Sequence, residues 1–150
     1  MKDNTSFLKR RPLAQPGANR PQVNSTDASV CNLASELMNA RTSFHKLHLK
    51  ITGAGSFASH LALNELYDAL PEQADGLVEQ YQGATERLCS LPDSTPRTLN
   101  TKEEGIQYIR EIKDMITNVQ GMCEYSEIIN DLDTIKSSLN SIKYKLIFLS

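Results

Sequence analysis

The chain has 150 residues, of which 39% are hydrophobic and 23% charged, and its net charge is −2. That length fits one domain able to bury its own core, and the composition is that of an ordinary globular protein. Uncharged apolar runs span only a few residues, as at Leu146–Leu149, so neither a membrane span of roughly 20 residues nor a secretory leader is expected.

Residues 1–24 carry Lys2, Lys9, Arg10, Arg11 and Arg20 against Asp3 alone, a charge of +4 that leaves −6 for the rest. With Pro12, Pro16, Pro21 and Gly17 and no apolar periodicity, this segment reads as an extended basic arm outside the core. Its charge suits DNA phosphates, with affinity that collapses as salt rises. It equally suits docking on a protein, with Phe7, Leu8 and Leu13 as anchors.

Residues 25–150 read as one domain of four amphipathic helices. The first is striped by Val30, Leu33, Leu37, Ala40, Phe44, Leu47 and Ile51, with capping candidates at Asn24–Asp27 and a stop at Gly53. The second opens near Ser56 and carries Phe57, Leu61 or His60, Asn64, Tyr67, Leu70, Ala74, Leu77 and Tyr81 as far as Gly83. Pro71 should kink it or split it near Leu70. A long proline-bearing connection follows. Thr101-Lys-Glu-Glu104 has the form of a capping box and opens a third helix, striped by Ile106, Ile109, Ile112, Ile116, Val119 and Cys123 and extending toward Ile128. Asn130 or Asp131 then caps a fourth, striped by Leu132, Ile135, Leu139, Ile142, Leu146 and Leu149.

No segment alternates as a half-buried strand does, so the fold class is all-α. Two short connections around a long one imply two helical hairpins joined by a crossover, the connectivity of ferritin-like four-helix bundles. Cys31, Cys89 and Cys123 are scattered, with no CxxC pair. They suggest neither a disulfide framework nor a zinc site, and a cytoplasmic chain is expected.

All three histidines, His45, His48 and His60, crowd one helix–helix junction. On the second helix, His60, Asn64, Asp75 and Glu79 fall at about 0°, 40°, 60° and 100° around the axis, on one face. His60 and Asp75 are nevertheless roughly 22 Å apart along it. The two pairs are symmetric about a point between Ala69 and Leu70. Two such helices crossing antiparallel on a two-fold axis would set His60 against Glu79, and Asn64 against Asp75, of a second copy. With His48 close by, this gives nitrogen and oxygen clusters suited to iron or another borderline divalent metal. Plainer readings are a pair of histidines bonding across the turn and an exposed i,i+4 acidic pair. Thr52-Gly-Ala-Gly55 lacks the preceding strand and the glycine spacing of a phosphate loop.

The run His48-x4-Gly53, then Phe57, His60, Asp75 and Glu79, resembles the signature of Dps-like ferritins, the DNA-binding proteins of starved cells. The match is densest over residues 44–83, and the closing DLDTIKSSLNSIKYKLIFL is similar in pattern to that family's last helix. The resemblance implies a ferritin-like fold, assembly into hollow shells and oxidation of ferrous iron at two-fold interfaces. It also implies DNA contact through the basic tail. Carried over, His48, His60, Asp75 and Glu79 are the metal ligands, with Asn64 where the family has a carboxylate. Leu49 stands where a tryptophan is common, and Gln80 where an arginine is usual. Small divergent chains of this type resemble those encoded by bacteriophages. Two functions follow. One is an oligomeric iron-binding protein, with ferroxidase activity left open by Asn64. The other is a metal-free structural or interaction module, such as a virion component that assembles through its fold and arm.

Overall fold

The computed structural model describes residues 24–149, so the basic arm with Lys2, Lys9, Arg10, Arg11 and Arg20 lies outside the described residues. Within them the chain forms four helices and no strand: α1 (Ser25–His48), α2 (Ser56–Thr85), α3 (Lys102–Met122) and α4 (Ser126–Phe148). None is long and apolar enough to cross a membrane.

Local chemistry sets most of the boundaries. The Asn24 side chain accepts the Thr26 amide at 3.2 Å and caps α1. After His48 the chain reverses through Gly53 (φ 93°) and Gly55 (φ 75°), conformations that favour a residue without Cβ. The capping box of α3 forms: Thr101 Oγ1 accepts the Glu104 amide at 3.2 Å. The Glu104 carboxylate reaches back one residue further than usual, to the Asn100 amide at 2.7 Å.

Three expectations are corrected. First, α2 is not split near Leu70 but continues as one helix through Pro71. The proline is on the exposed side, where the carbonyl that loses its partner can turn to water. Second, α3 stops at Met122 and α4 begins at Ser126, so Ile128 belongs to α4, and Asn130 and Asp131 lie inside it. Cys123 and Tyr125 take extended backbone there. Burial of Ile128 and Cys123, rather than a polar cap, places that corner. Third, Phe57 and Leu61 are exposed, and the buried face of α2 instead starts with Ser59, Ala62, Leu63 and Leu66.

The helices pack as a square, with α1 against α2 and α3, and α4 against the same two. Thr26 at the start of α1 donates to the Met122 carbonyl at the end of α3 (3.4 Å). At the opposite end, Gly105 lies under Leu47, where an added Cβ would come within 2.7 Å of Leu47 Cδ2. These contacts make α1 and α3 antiparallel. The connection between α2 and α3 travels the length of α1. Arg87 binds Asp27, Ser35 donates to the Pro92 carbonyl (3.1 Å), and Lys50 donates to the Leu99 carbonyl (2.9 Å). Consequently α2 and α3 run parallel.

The core is a continuous layer of the stripe residues, closed on one side by Phe44 stacked on Tyr108 with ring centroids 5.2 Å apart. The Arg97 guanidinium lies 4.2 Å above the Tyr108 ring, 3.0 Å from Glu36, and paired with Glu111. It pins the crossover onto α1 and α3.

The cysteine expectation is overturned. Cys31 on α1 and Cys89 on the crossover form a disulfide, with Cα atoms 5.6 Å apart. They stand 58 residues apart in sequence, and only the path of the crossover along α1 brings them together. Cys123 is buried and unbonded.

Candidate functional site at the α1–α2 turn

The last turn of α1 supplies His45 and His48, and the second turn of α2 supplies His60, so the Gly53–Gly55 reversal folds the three imidazoles together. The His48 and His60 ring centroids are 3.6 Å apart at 31°. His45 stacks on Tyr67 at 4.3 Å, and Tyr67 meets His48 edge-on at 5.1 Å. His48 is 7% exposed, whereas His60 is exposed and His45 half-buried.

Neither ring nitrogen of His48 has a hydrogen-bond partner, although both are buried. Burial pushes its pKa below the usual histidine range, and the charges of His60 and His45 act in the same direction against Asp68. The ring is thus held neutral, with one nitrogen lone pair unused. A buried donor and acceptor left unpaired cost about 1–3 kcal/mol each.

The other expected ligands lie differently. Asn64 is half-buried and committed: Tyr67 Oη donates to its Oδ1 at 2.6 Å, and its Nδ2 donates to Asp68 Oδ2 at 2.8 Å. The carboxylate acting on His48 is therefore Asp68, a residue the angular reading passed over. Tyr67 and Asp68 follow Asn64 by three and four residues, so helical spacing carried the signal. Asp75 and Glu79 are exposed further along α2, and α2 alone keeps them away from the imidazoles. Among the described residues, no three His, Cys, Asp or Glu side chains come close enough to share a metal ion.

A family model matches residues 48–146, from the second histidine through almost all of α4. The chain belongs to DUF5856, a family of unknown function. The DUF5856 match takes in His48, His60, Asn64, Asp75, Glu79 and the crossover with Cys89, and leaves out the body of α1 with Cys31. No curated protein matches the chain.

Proposed function

We propose that the chain is a ferritin-like bundle that self-associates across the exposed face of α2 and binds a divalent metal, iron by its donor set. His48 and His60 of one copy would face Asp75 and Glu79 of another. The observation that carries this reading is the pair of imidazoles in contact, one of them buried with both nitrogens unpartnered. Nitrogen from neutral imidazole with carboxylate oxygen is a donor set for iron and its neighbours. The rings lie against one another at 31° with centroids 3.6 Å apart, so joint ligation requires His60 to swing on its exposed side. The proposal stops at binding. Where the resemblance puts a further carboxylate stands Asn64, whose amide is already engaged by Tyr67 and Asp68. The +4 arm would add contact with a polyanion or an acidic protein surface.

The test is anaerobic titration of the chelator-treated full chain with ferrous iron, alongside size-exclusion chromatography. One iron per chain in a dimer or larger assembly is expected, lost in both His60→Ala and Asp75→Ala. A monomer without saturable iron uptake would refute it.

A second reading, a metal-free assembly module such as a virion component, is favoured by two observations. The disulfide Cys31–Cys89 is of a kind that persists in oxidising surroundings. Phe57 and Phe148, at the same end of the α2–α4 pair, are 75% and 70% exposed, as docking residues would be.

A further inference from the structure

A second feature of the α1–α2 turn shares no residue with the imidazole cluster. The turn and the start of α3 enclose a 320 Å³ pocket, whose walls include Lys50, Ser56, Ser59, Thr101, Lys102 and Glu103. We propose that this pocket binds a phosphate group, either free or carried by a small phosphorylated molecule.

Three independent features converge there. The 30-residue α2 opens beside it, with glycine at the cap position, no side chain capping its amides and no acidic residue in its first turn. The Ser56 amide donates to the Gly53 carbonyl at 3.1 Å, and no acidic side chain of the first turn offsets the positive end, as an anion site requires. Ser59 lines the pocket and is 1% exposed, and its buried hydroxyl has no hydrogen-bond partner. A ligand oxygen is the acceptor it lacks. Lys50 donates to the Leu99 carbonyl at 2.9 Å and to Asn100 Oδ1 at 3.1 Å. Those two bonds hold the ammonium at the wall and leave a third proton for a guest. Lys102 and Glu103 line the same wall.

A hydroxyl and amides from the start of α2, joined by an ammonium from the segment after α1, suit a tetrahedral oxyanion with several acceptors. The volume lies at the small end of organic ligand sites and leaves room for a short tail on the phosphate. The glycines of Thr52-Gly-Ala-Gly55 lack phosphate-loop spacing, and the site draws instead on the start of α2 and on Lys50.

The experiment uses the full chain, freed of metal, in chloride buffer at constant ionic strength. Inorganic phosphate and then glycerol phosphate are titrated, followed by amide chemical shifts and calorimetry. Saturable binding at millimolar concentration or below is expected, with shifts centred on residues 50–59 and 100–103. Ser59→Ala, which removes an unpaired hydroxyl and so keeps the fold, should weaken binding at least fivefold. Glu103→Gln should tighten it several-fold. Tighter binding of the ester identifies a phosphorylated small molecule, and tighter binding of the inorganic ion identifies free phosphate. Absence of saturation by either, or unchanged affinity in both variants, overturns the site.

Discussion

The two ends of the α1–α2 hairpin are built on opposite principles. At the open end, Tyr81 donates to Asp27 at 2.5 Å and Arg87 binds the same carboxylate at 2.7 Å. One turn along α1, Cys31 is bonded to Cys89. At the closed end, the His48 ring nitrogens and the Ser59 hydroxyl are buried without a hydrogen-bond partner. Burying polar atoms unpaired works against folding, whereas pairing them is neutral or better. One end is therefore held by paired groups, and the other leaves buried polar atoms without hydrogen-bond partners.

That contrast can be broken. The largest effect is expected at the disulfide. Closing a loop of this length contributes about 4 kcal/mol by the chain-entropy argument. The double variant Cys31→Ala/Cys89→Ala should lose most of that in urea unfolding, and reductant should change the native chain but not the variant. Equal stability of the two would remove the clamp from the account.

A smaller effect is expected at Asp27. Asp27→Asn should cost about 1 kcal/mol through the weakened Tyr81 bond, the solvent-open Arg87 pair adding little. Arg87 draws the Asp27 pKa below its ordinary value, with Tyr81 acting the same way against burial. The folded carboxyl thus titrates below the unfolded one. Its stabilisation is complete above about pH 4 and fades as pH falls further, so the difference between native and variant should narrow in acid.

The smallest and most telling effect is at the other end. His48 has its pKa depressed by burial, so the unfolded chain takes up that proton first as pH falls through about 6.5. Stability should decline below that pH. His48→Leu, measured without metal, should flatten the decline and gain up to about 1 kcal/mol at neutral pH. A variant less stable than the native chain would place His48 among the groups that hold the fold.

Much of the scaffold was legible in the residues. The stripes of α1 from Val30 to Leu47 and of α3 from Ile106 to Val119 are buried as their three- and four-residue steps require, whereas Ile51 is half-buried beyond the helix end, and Thr101 caps as its spacing from Glu104 suggests. What was not legible depends on contacts distant in sequence. The start of α4 follows tertiary burial of Ile128, with no polar residue to announce it. Pro71 survives inside a helix because it faces outward. Cys31 and Cys89 could be paired only once the crossover was known to lie along α1. At the site, the crowding of three histidines was visible in the sequence. The unpaired state of His48 was not, because an orphan is defined by everything that fails to reach it.

The bond from α1 to the crossover also sets a covalent topology. It encloses Cys31 through Cys89 in a ring containing the glycine turn and all of α2, with α3 and α4 hanging outside as a tail. A peptide bond cut anywhere inside that ring opens the loop without dividing the molecule. The glycine turn and α2 can thus be nicked while every piece stays tethered to the rest.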